Sequence, residues 1–476
     1  MQQKHIHFYI AAFVAVVLVG CKLGKEYQRP QVQLPQQFSS NTAQAQSFAD
    51  TNSIADIAWK EFFTDPTLQE LITRGITYNN DLQVAIKRID IANAQAKQAK
   101  LLQLPKVDLQ VTGAINRPSD NSLNGLSASA FLGKSYIENY QILANISWEA
   151  DIWGKIRGQK ETVLAQYLQT QEAAKAVQTQ LVSSIAQGYY NLLMLDRQLI
   201  IARNNLALND TFVNVTRLLR DGGVVTTLAV RQAEAQKQTT ALLIPQLEQD
   251  IAMQENALQV LTGQLPGAVA RAASLNDLAL PTNLSTGLPV AMVSRRPDVR
   301  TTELALVMAN AQVGVAQANM YPAFTITAGT GLESFKSSNW FNIPGSLFGL
   351  AAGTILQPVF RQKQLKTQFE IAKIEREQAV IQFRQSVLLA TGEVSNALVQ
   401  VEKLKEQREL AGNQVDTLKQ AVGNAQLLFK SDMANYLEVI TAQTNALQAE
   451  LNLAAIQRSQ LGAVVELYRS LGGGWK

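Results

Sequence analysis

Asn93-Ala94-Gln95 returns 217 residues later as Asn310-Ala311-Gln312. The same offset carries Asp81 to Asp298, Ala92 to Ala309 and Pro105 to Pro322. Further along, an offset of 209 carries Leu218-Leu219 to Leu427-Leu428, Leu228 to Leu437, Val230 to Val439, Ala233 to Ala442 and Gly263 to Gly472. Self-similarity held over many positions means one structural unit made twice. The chain reads as two tandem copies, 56–266 and 284–476, joined by a linker at 267–283.

Each copy has the same internal order. A helical segment comes first, Asp81 to Leu104 and Asp298 to Met320. Asn79-Asn80 precedes one and Pro297 opens the other, as helix N-termini prefer. A proline then stops the helix, Pro105 and Pro322. Alternating segments follow. Val107, Leu109 and Val111 interleave with Asp108, Gln110 and Thr112, and Ile142, Ala144, Ile146 and Trp148 form a second run. In copy two, Phe324, Ile326 and Ala328 alternate with Thr325 and Thr327, and a small, Gly-rich segment spans Leu347 to Leu356. Period two gives each strand one apolar and one polar face. Strands are expected at about 106–117, 138–149, 322–333 and 346–357.

The rest of each copy is proline-poor. Leu181, Ile185, Leu192, Leu195, Leu199 and Ala202 fall on a three-four repeat, as do Ala397, Val401, Leu404, Ala411, Val415 and Leu418. A sustained period near 3.5 means long helices packed as in coiled coils. A helix from Lys155 to Arg220 would be about 100 Å long. It breaks at Asp221-Gly222-Gly223, and its counterpart breaks at Ser431 to Asn435. Helical hairpins are expected at about 154–262 and 361–471.

The four strands pose the central question. Against a soluble core they make an ordinary sheet. In a bilayer, backbone satisfaction demands a closed barrel. Such barrels start at about eight strands, so chains carrying four each must associate, two giving eight or three giving twelve.

Composition excludes other classes. Lys+Arg is 42 and Asp+Glu is 38, a net charge of +4, with no basic stripe for a nucleic acid. The two histidines are His5 and His7. Loss of an N-terminal leader therefore removes every histidine, and with them Ser-His-Asp catalysis and His-ligated zinc. No GxSxG, GxxxxGK[ST], HExxH or GxGxxG motif occurs. Neither an enzyme nor a bound cofactor is expected.

The N-terminus supplies an address. Lys4 precedes an apolar run from Phe8 to Val19, too short to span a bilayer and ending Leu18-Val19-Gly20-Cys21. This resembles the lipobox of bacterial lipoproteins, with residues 1–20 as signal peptide and Cys21 as the lipidated residue. Several acyl chains anchor stably where one does not. Lys22, in place of the aspartate of inner-membrane lipoproteins, favours the outer membrane by analogy. Residues 21–55 read as an extended tether or a disordered linker.

Spaced motifs then resemble a known family. Trp59-Lys-Glu-Phe-Phe-Thr-Asp65-Pro66 with Asn80-Asp81-Leu82, and Ser147-Trp-Glu-Ala-Asp151-Ile-Trp153-Gly154-Lys155, occupy copy one. Arg296-Pro297-Asp298-Val299-Arg300, Tyr321-Pro322-Ala-Phe324, Tyr436-Leu437-Glu438-Val439 and Leu471-Gly-Gly-Gly-Trp475 follow in order. The chain resembles an outer membrane factor of the TolC superfamily, in the lipoprotein branch of the OprM/CusC (NodT) type. The resemblance implies a mainly α fold with membrane β. In it, four β-strands per protomer build a trimeric twelve-stranded β-barrel, and long coiled-coil helices form a periplasmic α-barrel with an equatorial domain. It further implies a homotrimer in the outer membrane of a Gram-negative envelope, which takes cargo from an inner-membrane RND-type pump through a periplasmic adaptor protein. A protein-secretion duct and a non-transporting envelope scaffold are the alternative readings.

By the same resemblance, the hairpin tips close the periplasmic entrance and meet the adaptor. The residues there are Arg220, Asp221, Gly222, Gly223 and Thr227, with Lys430, Ser431, Asp432, Asn435 and Tyr436. Arg220, Asp221, Lys430, Asp432 and Tyr436 are either a charged latch or solvated tip residues. Two positions depart from the family pattern. Asp432 stands where glycine is usual, with Ala434 where relatives carry an aspartate. Phe360-Arg361-Gln362-Lys363 replaces a Gly-rich junction. Tyr136, Tyr140, Trp148 and Trp340 are either a membrane-interface belt or packed aromatics.

Overall fold

A computed structural model describes residues 23–31, 53–278, 286 and 289–476. Cys21, the signal segment and most of the tether lie outside these residues. The main helices are α1 (Pro66–Tyr78), α2 (Asn80–Lys100), α3 (Lys155–Asp221), α4 (Thr227–Leu261), α5 (Pro297–Ala318), α6 (Gln364–Lys430) and α7 (Tyr436–Ser470). The strands are β1 (Lys106–Asn116), β2 (Ile137–Ala150), β3 (Ala323–Ser334) and β4 (Leu347–Leu356). No helix among the described residues is long and apolar enough to cross a membrane. The chain divides into two compact units. Among the described residues, one holds 23–30, 90–168 and 303–382, and the other holds 31, 53–89, 169–278, 286, 289–302 and 383–476.

The first unit is built on a four-stranded antiparallel sheet in the order β1-β2-β3-β4. Each copy contributes one hairpin, and β2 joins β3 with Ile146 opposite Ala328. Lys106 opposite Ser147 sets the first hairpin's register, and Ala323 opposite Leu356 the second's. Val107, Leu109, Ile146, Trp148 and Ile326 therefore share one face, and Asp108, Asn145, Ser147 and Thr327 share the other. The apolar face is uncovered: Val107 is 68% exposed and Leu109 72%. Both outer edges, β1 and β4, have one unpaired side among the described residues.

Aromatic side chains bound the apolar face. Tyr140 packs on Trp340 at 5.4 Å between centroids, and Trp340 on Phe341 at 5.2 Å. Trp148, eight residues from Tyr140 on the same strand, donates from Nε1 to the Gln103 carbonyl at 2.9 Å. At 3.4 Å per residue the two positions lie about 27 Å apart along the strand. That is close to the ~25 Å apolar band of an outer-membrane barrel. These aromatics thus make specific contacts and also stand where an interface belt would.

The strand-to-helix junctions are built differently in the two copies. In copy one, Gly154 adopts φ 75° and the Asp151 carboxylate accepts from the Ile156 and Arg157 amides at 2.8 and 3.0 Å. In copy two, Gln362 and Lys363 hold left-handed φ values of 49° and 64° without glycine. The turn survives the loss of glycine at a cost in backbone strain.

The described part of the tether is docked. Gly24 lies against Gly314 so closely that a Cβ on Gly24 would sit 3.1 Å from the Gly314 Cα. Asn310 Nδ2 donates to the Lys25 carbonyl at 2.9 Å. Arg29 grips Glu303 through Nε at 2.6 Å and Nη2 at 2.8 Å, and the Tyr27 hydroxyl donates to the same carboxylate at 3.2 Å. Glu303 is 4% exposed at its side chain, and Arg29 is 45%. A buried carboxylate tolerates burial only with such partners.

In the second unit, Asp65 caps α1 through the Thr67 amide at 2.7 Å and accepts from the buried Tyr189 hydroxyl at 2.9 Å. Arg296 is a buried cation of this unit. It reaches Asp298 at 2.6 Å, Glu393 at 2.8 Å and the Ser470 carbonyl at 3.0 Å. Arg469 shares Glu393 at 3.1 Å, so one carboxylate ties the start of α5 to α6 and α7.

Two outcomes follow from the docked tether. Glu303→Ala leaves Tyr27 and Arg29 without their acceptor, and limited proteolysis read by mass spectrometry will show cleavage within residues 23–31 that the parent chain resists. Burial, reinforced by the Glu303 charge, pushes the Tyr27 phenol up to about 12. A raised folded value stabilises fully below the ordinary phenol value and is lost as pH climbs to the folded one. The same cleavage will therefore appear in the parent chain as pH rises from about 10 to 12. A flat profile across that window would mean that Tyr27 makes no net contribution.

Candidate functional site: the two hairpin tips

The two tips are one motif written in different residues. In copy one, α3 ends in a turn where the Val224 amide donates to the Leu219 carbonyl at 2.8 Å and the Gly223 amide to Arg220 at 2.9 Å. In copy two, Met433 donates to Leu428 at 2.9 Å and Asp432 to Phe429 at 3.2 Å. This paired closure satisfies the last carbonyls of a helix and requires a left-handed residue just beyond it. Gly223 supplies it at φ 76°, and Asp432 at φ 60°. The aspartate thus occupies the glycine position of the repeat and keeps its turn, as a short polar side chain can.

The return helices are capped in parallel. Thr226 Oγ1 accepts from the Ala229 amide at 3.4 Å, and Thr227 opens α4. Asn435 Oδ1 accepts from the Leu437 and Glu438 amides at 2.9 and 3.2 Å, and Tyr436 opens α7. Asn435 is therefore a helix cap within this chain. Gly222 continues the end of α3 through its amide bond to Leu218, and Ser431 does the same for α6 with its amide and hydroxyl on Leu427.

The tips share a core. Phe212, Val213 and Ala233 from the first hairpin cluster with Phe429 and Val439 from the second. The Phe212 and Phe429 rings lie 5.5 Å apart and tilted by 52°. Leu219, Val225, Ala425, Tyr436 and Ile440 pack around them. Tyr436 is placed by this apolar contact. Sequence pattern does not single out Phe212 and Val213, although both precede the Asp221-Gly222-Gly223 break on the same helix.

Charge is distributed unequally. Arg220 pairs with its own neighbour Asp221 at 2.5 Å, along one hairpin rather than across to the other. Lys430 and Asp432 have no side-chain hydrogen bond or ion pair among the described residues. Above them, the first hairpin is laced by Arg203–Glu248, Lys237–Asp210 and Arg217–Glu234, at 2.8, 2.5 and 2.6 Å. Hydrogen bonds from Arg217, with Arg231 added, hold the Glu234 carboxyl below the usual carboxylate range. Exposed pairs of this kind add little net stability, so they fix register more than they stabilise.

The turn geometry sets a test. Gly223 has open space where a Cβ would point, so only its dihedral angle resists substitution. Gly223→Val will destabilise the first tip by about 1–2 kcal/mol, the left-handed penalty of an L residue. Asp432→Asn will stay within about 0.5 kcal/mol of the parent, since both residues tolerate that conformation. Hydrogen exchange at the Val224 and Met433 amides reads each tip separately.

The chain as a whole is similar to known proteins. Residues 71–264 and 288–473 each match the family described as outer membrane efflux protein. Over 465 residues, 97% of this chain and 98% of the relative, the sequence is 29% identical to the cation efflux system protein CusC of Escherichia coli O6:H1. Over 471 residues, 98% of this chain and 95% of the relative, it is 29% identical to the probable efflux pump outer membrane protein TtgC of Pseudomonas putida. The solved outer-membrane channel OprN superposes with a TM-score of 0.86 at 25% identity, covering 96% of this chain and all of that one. The fold is TolC-like and the location is the outer membrane. With both tandem copies matched in full order, the chain belongs to the outer membrane efflux protein family.

Proposed function

We propose that this outer-membrane efflux duct works as a homotrimer between a periplasmic adaptor and an inner-membrane pump of the RND type. The observation that carries the reading is the open sheet. Four strands present an uncovered apolar face bounded by aromatics, and two edges lack partners among the described residues. In lipid such edges must pair, and pairing β1 of one copy with β4 of the next closes twelve strands from three chains. The polar face, with Asp108, Asn145 and Thr327, then lines a water-filled lumen. The chain supplies a path and no chemical step, and the pump supplies the energy.

In this reading the hairpin tips are the periplasmic entrance. Lys430 and Asp432, unengaged among the described residues, and the Arg220–Asp221 pair are placed to meet a neighbouring copy or the adaptor. Leu218, Leu228 and Leu437 are exposed beside them and add apolar contact area. Lipidation at Cys21, with the Tyr27 and Arg29 dock close behind it, anchors each protomer to the outer membrane.

Electron microscopy of the detergent-extracted protein will show a hollow cylinder with three-fold symmetry. Deleting the gene where no other duct is present will raise retention of pump substrates at least severalfold. A monomer or solid rod sinks the barrel, and unchanged retention sinks the efflux role.

A further inference from the structure

Gln443 is 3% exposed, and neither its Oε1 nor its Nε2 has a hydrogen-bond partner among the described residues. Both atoms are closed to bulk solvent, so a neighbouring copy cannot reach them without a change in packing. The residue stands on α7 one turn beyond Val439, which lies in the core shared by the two tips. Buried side-chain amides are nearly always paired, and one that is not raises the free energy of the state that buries it.

The tandem repeat supplies a direct comparison. The offset of 209 maps Gln443 onto Glu234 of copy one. Glu234 accepts from Arg217 at 2.6 Å and from Arg231 at 3.1 Å. The same offset maps Arg217 onto Gln426 and Arg231 onto Ile440. One donor has thus become apolar. The other has become a shorter, uncharged amide, and it makes no bond to Gln443. Copy two has a polar side chain at 443 but neither of the guanidinium groups that engage its counterpart Glu234. A second polar contact has gone the same way: buried Thr240 and Asn209, which bond to each other at 2.8 Å in copy one, become Ala449 and Leu418.

We infer that Gln443 is a release element of the hairpin tips. Its amide lacks partners while the two hairpins are packed through Phe212 and Phe429, and it gains water or protein partners when α6 and α7 move away from α3 and α4. The packed tip is thereby held weaker than its apolar contacts alone would make it. One unpaired buried amide corresponds to roughly a tenfold bias in population between the two arrangements. This inference rests on the duct reading above for its consequence in transport.

The test uses the full-length lipidated protein, first in thermal melting and then in planar bilayers. Gln443→Leu removes the amide, and Gln426→Arg restores the copy-one donor while keeping it. Both variants are expected to melt higher than the parent and to lower channel open probability roughly tenfold. The second variant stands in if leucine at 443 fails to fold. If both match the parent, the release role is overturned. It is equally overturned if Gln443→Leu melts lower, because the amide then has a partner in the packed state, a trapped water or Gln426 turned onto it. A parent protein that never conducts would sink the duct reading instead, and the melting comparison would still decide Gln443.

Discussion

A peptide group in hydrocarbon must find its hydrogen-bond partner within protein. That constraint governs everything this sheet can become. β1 and β4 each offer ten or eleven residues with one side unpaired, and their apolar side chains stand uncovered. A protein made only of such hairpins would aggregate. Here the two copies first satisfy each other across β2 and β3, and only the outermost edges are left for another chain. The same alternation that leaves Val107 and Leu109 uncovered turns Asp108 and Asn145 to the opposite face. In the proposed barrel, one periodicity would specify both the membrane surface and the lining of the path.

The tips show what duplication permits. Both keep one backbone closure, with Gly223 and Asp432 at the same left-handed position. Their side chains have diverged. The first hairpin is crossed by Arg203–Glu248, Lys237–Asp210 and Arg217–Glu234. The equivalent positions of the second are Gly412 and Gln457, Ala446 and Lys419, and Gln426 and Gln443, which cannot form those ion pairs. Lys419 turns to Glu450 instead, at 2.8 Å. Identical hairpins would have one stability. In the proposed entrance, two unequal hairpins would let one act as a frame and the other as the moving part.

Much of this is legible in the sequence, for identifiable reasons. Period two locates the four strands, including the glycine-rich β4, because its partner β3 alternates cleanly. The three-four repeat locates the long helices, and Leu195, Ala202 and Val415 are indeed buried. Leu164 fits the same repeat yet is half exposed, since periodicity records a stripe and not what covers it. Pro245 sits inside α4, where local rules would end a helix. Leu243 and Leu247 on either side pack with Leu195 and Ala202, and that tertiary contact keeps the helix continuous. The tip residues stand out as breaks in a pattern. The contact of Phe212 with Phe429 and the meeting of Arg296 with Glu393 do not, because each joins positions 97 or more residues apart and leaves no local trace.

Those distant closures carry a consequence for the order in which the molecule is made. Arg29 and Glu303 are separated by 274 positions, and the Tyr468 hydroxyl that closes on the Ile57 carbonyl reaches back over 411. The docked stretch around Tyr27 and Arg29 has no partner until the second copy has emerged. Neither unit can complete itself one repeat at a time, as an ordinary solenoid can. Long-range closure slows folding and lengthens the time that apolar strands are bare. The tether can lock once Glu303 and Asn310 have emerged, whereas the Ile57 carbonyl waits for Tyr468 near the end of α7.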